Sequence, residues 1–383
     1  MPRFFIMKKL IPFILLTLLI SSCNSFDKKD LLGEWTIEEK EEKKQDDQPP
    51  VPFQRDPQII VFNNDGTYIY KNGMFNFDRD SIRYYGEKTQ FKIKGDSLLI
   101  FNPATKKFDS QKIVELSKNK IVLETKKKTL TTLIPFKSKT YDNLNPQIDK
   151  IIVSKSLCFG TCPSNSTVID NKGNFLFYGD LYNLKNGFFS SKISSHITKE
   201  IFDEMKYIDF YSLKPMYSTY ITDQASSTIT FISKGKIIKT VHDYGEQSAF
   251  ELRRLIRNIS YLYQRIPLQS LITDPVLVYD FNSGTKAVDL QESETFYLFS
   301  ELLKAKTISQ YSGNLPFTGK YLLPVPTNED YKKFYLYERS INTDGKIFKI
   351  QLEDKTFKTV DFGYNFFDKN YLIRFKNDSV RAR

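Results

Sequence analysis

The sequence predicts a mixed β and α+β chain: a small antiparallel β-barrel near the N-terminus followed by two α+β domains. Three observations carry this. Between residues 59 and 125 short alternating apolar runs are separated by Asn, Asp and Gly turns, the pattern of a hairpin-built sheet. Beyond residue 148 strand-like runs are interleaved with segments whose apolar residues recur at helical spacing. Two stretches rich in Asn, Pro and polar residues, Tyr141 to Gln147 and Pro267 to Pro275, break the chain where linkers are expected.

In the first domain, residues 31–140, Leu31 to Ile37 begins the folded part. The acidic, Pro-rich stretch from Glu38 to Pro52 has too little apolar content for a core and reads as an exposed loop. Ile59–Phe62 and Thr67–Tyr70 are joined by Asn63-Asn64-Asp65-Gly66. Phe91–Ile93 and Leu98–Phe101 are joined through Gly95-Asp96, and Ile113–Leu116 and Ile121–Thr125 through Ser117 to Lys120. Such turns supply the positive φ angles that tight hairpins need.

The second domain, residues 149–266, opens with the apolar run Ile151-Ile152-Val153 and carries Cys158-Phe159-Gly160-Thr161-Cys162-Pro163. A hairpin follows, turning at Asn171 to Asn174. Thr198 is expected to cap a helix through Met205, with Ile201, Met205 and Ile208 on one face. Strands at Ser227–Ile232 and Lys236–Val241 precede a second helix, for which Ser248-Ala249-Phe250-Glu251 reads as a capping box ahead of Leu252, Leu255, Ile256 and Ile259. In the third domain, residues 275–383, the pattern predicts a strand at Val276–Phe281 and a helix carrying Phe296, Phe299, Leu302 and Leu303. Strands then follow at Lys320–Pro324, Phe334–Ser340, Lys346–Leu352 and Phe357–Phe362. Phe362, Tyr364, Phe366, Phe367, Tyr371 and Phe375 form a dense aromatic group that reads as core packing, with a carbohydrate or peptide surface as the alternative.

The N-terminus states an address. Arg3, Lys8 and Lys9 precede an apolar run from Leu10 to Leu19, and Ile20-Ser21-Ser22-Cys23 resembles the bacterial lipobox, in which a peptidase cuts before a thiol that carries lipid. The run is too short for a membrane span, which needs about 20 apolar residues. Residues 1–22 are therefore expected to be a signal peptide, Cys23 the lipidation site, and 23–30 a polar tether. Asn24, in place of an aspartate, favours the outer membrane, facing either the periplasm or the outside. The expected partner is the membrane, through that lipid.

Trp35 is the sole tryptophan, and Gly33-Glu34-Trp35 followed by a meander with an Asn-Asp-Gly-Thr-Tyr turn resembles the lipocalin-like domains of bacterial envelope lipoproteins. That resemblance implies a small barrel, closed at one end by Trp35, whose interior is filled by side chains or holds an apolar ligand. The CFGTCP segment, the Ile208–Leu213 segment, a Thr-Asp before a strand, and His242-Asp243-Tyr244-Gly245 before a helix resemble a bacterial domain of unknown function over about residues 149–266. It brings no activity with it.

Cys158 and Cys162, an even pair in an oxidising compartment, are expected to form a disulfide. Two sharper alternatives use the same thiols: a zinc set with His196 and His242, against which the wide spacing argues, and a redox pair, against which the Cys-x3-Cys spacing argues. His242-Asp243 is adjacent in sequence, but strand neighbours point to opposite faces, so a serine triad is disfavoured. Asp223 and Asp243 border strands and are the acids to inspect first. No nucleotide, flavin or zinc-protease motif is present, and neither a cofactor nor a metal is expected.

The net charge is +11, and from Gly86 to Lys139 there are 13 lysines against 5 acids. Anionic envelope lipids or polymers are the partners this excess fits; the compartment disfavours nucleic acid. A lipid-anchored, non-catalytic binding or scaffolding protein is the resulting expectation. The alternative is an envelope hydrolase with a site where the second and third domains meet.

Overall fold

A computed structural model describes residues 26, 28–38, 56–78, 81–141, 145–324 and 336–375. The segment read as a signal peptide, residues 1–22, and Cys23 lie outside the described residues. Among the described residues, no helix is long and apolar enough to cross a membrane.

After a one-turn helix α1 (Lys28–Leu31), the barrel is built from β1 (Gly33–Ile37), β2 (Ile59–Phe62) and β3 (Thr67–Tyr70). A separate hairpin, β4 (Phe75–Asp78) and β5 (Ser81–Tyr84), intervenes. The barrel then continues with β6 (Lys88–Lys94), β7 (Ser97–Asn102), β8 (Lys107–Ser117), β9 (Lys120–Glu124) and β10 (Leu130–Pro135). Its strands close in the order β1-β10-β9-β8-β7-β6-β3-β2. Alternation decides which side chains enter: on β6 Phe91 is buried while Lys88, Lys92 and Lys94 face outward. A bulge between Ile113 and Glu115 shifts the β8–β9 register, leaving Ile113 buried and Val114 exposed. The β2–β3 turn needs Gly66 at φ 86°, and Asp65 caps it by accepting from the Thr67 amide at 2.8 Å.

The second sheet contains β11 (Lys150–Lys155), β12 (Asn165–Asp170), β13 (Asn174–Gly179) and β14 (Gly187–Lys192). After helix α2 (Ser195–Asp203) come β15 (Met216–Ser218), β16 (Ser226–Ser233) and β17 (Lys236–Tyr244). Helix α3 (Phe250–Ser260) precedes β18 (Gln269–Leu271). The order is β15-β17-β16-β11-β12-β13-β14-β18, with β15 parallel to β17. The third sheet adds β19 (Asp280–Ser283), β20 (Lys286–Asp289), then α4 (Glu292–Leu302), β21 (Lys306–Ile308), β22 (Phe317–Pro324), β23 (Leu336–Thr343), β24 (Ile347–Gln351), β25 (Phe357–Asp361), a one-turn helix α5 (Phe366–Lys369) and β26 (Ile373–Phe375). Its order is β21-β25-β24-β23-β22-β19-β20-β26.

Ile151, Ile152 and Val153 are all fully buried because the second sheet is covered on both faces. Ile151 and Val153 join Leu252, Leu255, Ile256 and Ile259 of α3 and Ile201 of α2 in one core. Ile152, Val168, Phe188 and Ile232 join Phe296, Phe299 and Leu302 of α4 and the inner residues of the third sheet in another. Helix α4 thus lies on the second sheet and covers it with the third region's core.

The chain divides into two compact units. Residues 26–38, 60–69 and 89–136 form one compact unit, and 56–59, 70–88 and 137–375 a second. The β4–β5 hairpin, which the sequence pattern did not predict, places Tyr84, Phe75 and Ile82 in the α3 core. The regions read as 149–266 and 275–383 are one layered unit. Locally, Ser194 rather than Thr198 caps α2, accepting from the Ile197 amide. Ala249 occupies the cap position of α3, because the Ser248 hydroxyl is given to Asp243. Val276 and Val278 are buried as expected but lie outside the ladder: the amides of Val276 and Leu277 close tight turns onto Asp274 and Pro275. Phe366 and Phe367 are fully buried, the packing role expected of that aromatic group, while Tyr371 is exposed.

Candidate functional site

Cys158 and Cys162 are joined by a disulfide with Cα atoms 5.5 Å apart. The loop it closes is tied to the strand-bordering segment flagged from sequence, since the Phe159 amide donates to the Asp223 carbonyl at 3.1 Å. Asp223 itself is exposed, at a φ of 66°. The zinc set weighed as an alternative is not assembled: both thiols are spent, His196 stands exposed on α2 beside Glu200, and His242 is in β17. No group of three metal-ligating residues occurs among the described residues.

His242 and Asp243 part company as strand geometry dictates. His242 lies opposite Thr228 in the β16–β17 ladder, and burial, opposed by the charge of Asp243, lowers its pKa. Asp243 is buried and accepts from the amides of Gln247 (2.7 Å) and Ser248 (3.1 Å) and from the Ser248 hydroxyl (2.5 Å), so it organises the turn ahead of α3. Where α4 meets the second sheet, the meeting place expected for a hydrolytic site, polar groups do converge. Thr230 bonds Ser293 (2.8 Å) and Thr240 (3.0 Å), Thr240 donates to Glu294 (2.8 Å), and the Ser293 amide donates to Thr228 (3.0 Å). These groups satisfy one another, which is how a buried polar seam is stabilised. A nucleophile, base and orienting acid are not brought into line there.

One electrostatic cluster is not foreshadowed by any sequence motif. The Glu87 carboxylate forms a forked pair with Arg254 (2.6, 2.8 and 3.0 Å), and the Asn258 amide donates to both Glu87 (3.0 Å) and Glu204 (2.8 Å). Tyr84 donates to Asn258, Arg257 lies 3.6 Å from Glu87, and Arg254 lies 3.7 Å from Glu204. Burial pushes the Glu204 carboxyl up to about 7 against the pull of Arg254, and Oε2 has no hydrogen-bond partner among the described residues. Burial opposes the charge of Arg254 as well, but Glu204 and Glu87 outweigh it and raise its pKa. The partners are separated by 167 residues in sequence, so no local pattern announces them.

A pocket of about 560 Å³ opens beside α2. Its walls come from the β12–β13 turn (Lys172), the end of β14 (Lys192, Ile193) and one stripe of α2, where Ser195, Thr198, Lys199 and Phe202 recur at i, i+3, i+4 and i+7. Gly173 lets the turn approach so closely: a Cβ there would stand 2.5 Å from the Ile193 carbonyl. The sequence showed a helix here, by its Ile201, Met205 and Ile208 face, but neither this stripe nor what lies across from it.

No curated protein and no solved structure significantly matches the chain. Two family models do. Residues 31–123 match a lipocalin-like domain, and residues 149–263 match a domain of unknown function (DUF6438).

Proposed function

We propose that this chain is a lipid-anchored protein of the cell envelope, held at the outer membrane through Cys23, that binds a ligand without transforming it. The observation that carries the binding part is the closed eight-stranded antiparallel barrel over a lipocalin-like sequence. Inside it Phe62 packs edge-on against Tyr68 and Phe91 at centroid distances of 5.4 and 5.0 Å. Trp35 is buried with its indole N–H on the Leu31 carbonyl at 2.9 Å. The anchoring part rests on the charged, apolar and small-residue order that ends at Cys23. The lysine excess favours anionic envelope lipids or polymers as the surface partner. Between Gly86 and Lys139 every lysine except Lys120 is exposed.

Native mass spectrometry of the full chain extracted from its membrane, with and without reductant and chelator, tests this. Expected are acyl mass on the Cys23 peptide, a mass lower by the two hydrogens of one disulfide, and a co-purifying apolar ligand. An unacylated Cys23 would remove the anchor, and a chelator-sensitive metal would reopen the enzyme alternative. Binding of the chain to anionic vesicles should weaken as salt rises; insensitivity to salt would remove the electrostatic partner.

A further inference from the structure

The pocket beside α2 has two chemically distinct parts. Ile148 and Ile193, both nearly fully buried, and the half-buried Phe202 give it an apolar floor continuous with the α3 core. Lys172, Lys192 and Lys199 stand exposed at its rim.

The rim is held in place. The Lys192 ammonium donates to the Lys172 carbonyl (2.7 Å) and to Asn174 Oδ1 (3.1 Å), which fixes it at the β12–β13 turn. Asp170, the nearest acid in that turn, is spent on the amides of Lys172 (3.0 Å) and Asn174 (2.8 Å) and on the Asn174 side chain (2.7 Å). Lys199 pairs with Asp203 one turn further along α2. Counting the two neighbouring acids, Asp170 and Asp203, against Lys172, Lys192 and Lys199, the rim keeps a net positive charge over an apolar floor. Its volume lies within the range of about 300–1,000 Å³ typical of small-molecule sites.

We propose that this pocket binds a single-chain anionic amphiphile, with a carboxylate or phosphate head among Lys172, Lys192 and Lys199 and its alkyl chain against Ile148, Ile193 and Phe202. The charge excess selects the head and the floor selects the tail. A small polar anion leaves the floor wet; a neutral or cationic amphiphile forgoes the lysines. The residues that line this site all belong to the second compact unit, so the proposal does not rest on ligand binding in the barrel.

The test is calorimetric titration of the full chain in a nonionic detergent with octyl phosphate, octanoate, octyltrimethylammonium and inorganic phosphate. Octyl phosphate or octanoate should bind, and the better of the two identifies the head. Octyltrimethylammonium and inorganic phosphate should bind at least tenfold more weakly. The K172E/K199E variant alters only exposed side chains and should lose at least tenfold in affinity for the anionic probe, while a Phe202→Ser variant should lose preference for octyl phosphate over inorganic phosphate. Equal binding of the cationic probe, or undiminished octyl phosphate binding by K172E/K199E, overturns the assignment. The second result would leave barrel binding untouched, so the two ideas fail separately.

Discussion

At the residue scale the most consequential groups are those the core has trapped. Glu204 shares Arg254 with Glu87, and Glu87 holds the forked geometry, so Glu204 is the carboxylate left with an unpartnered oxygen. Its carboxyl sits near 7 in the fold, against an ordinary value of 4.5. The folded state therefore binds the proton more tightly, and stability contributed by the protonated form is lost as pH rises from about 4.5 through about 7. The expected outcome is a melting temperature that falls between pH 5 and pH 8 in the wild type and falls less in Glu204→Gln; equal slopes would place the titration elsewhere. Arg254→Ala should cost about 3–5 kcal/mol in urea unfolding, since it strands two buried carboxylates. Combining Arg254→Met with Glu87→Gln and Glu204→Gln should recover most of that loss, because the expense lies in uncompensated charge rather than in missing contacts.

At the element scale the turn before α3 separates what sequence can show from what it cannot. Ser248 and Glu251 have the spacing of a capping box, yet Asp243, five residues upstream, takes the Ser248 hydroxyl and two amides. Asp243→Ala leaves three donors without their acceptor and should destabilise the chain by about 1–3 kcal/mol, whereas Glu251→Ala should change little. Equal effects in chemical denaturation would restore the capping box. Hairpins were legible at Asn63–Gly66 and Asn171–Asn174, where alternation met a turn residue, because both signals are local; the β19–β20 hairpin, with only four residues a side, was not. Strands β18, β21 and β26, of three residues each, carry too little periodicity to stand out, and their ladders depend on distant partners. The candidate pocket was not legible: the helical spacing at α2 pointed to the core face of Ile201, Met205 and Ile208, not to the stripe that lines the pocket. Its lysine rim forms when the β12–β13 turn, which carries Lys172, folds against the end of β14 and the start of α2, an approach that no spacing rule encodes.

At the scale of the whole molecule, the division into sequence families and the division into folding units disagree, and the disagreement has a physical cause. The matched domain ends at residue 263, yet the face of its sheet bearing Ile152, Val168, Phe188 and Ile232 is buried only by α4 and the third sheet. Burying such side chains contributes roughly 1.5–3 kcal/mol each, and the four together are comparable with the total stability of about 5–15 kcal/mol of an ordinary domain. Removing α4 also strands Thr228 and Thr230, whose partners include the Ser293 amide and hydroxyl. A chain ended after Ile266 should therefore bind a hydrophobic dye such as ANS and lose cooperative unfolding, while a chain carried through Phe375 should do neither. If the shorter chain melts cooperatively at the temperature of the longer one, with no dye bound, the second sheet is self-sufficient and α4 is an accessory. If it does not, the third region is the missing half of the core. Substitutions in α4, such as Phe299→Ala, should then destabilise the matched domain by about 3–5 kcal/mol from outside its sequence boundary.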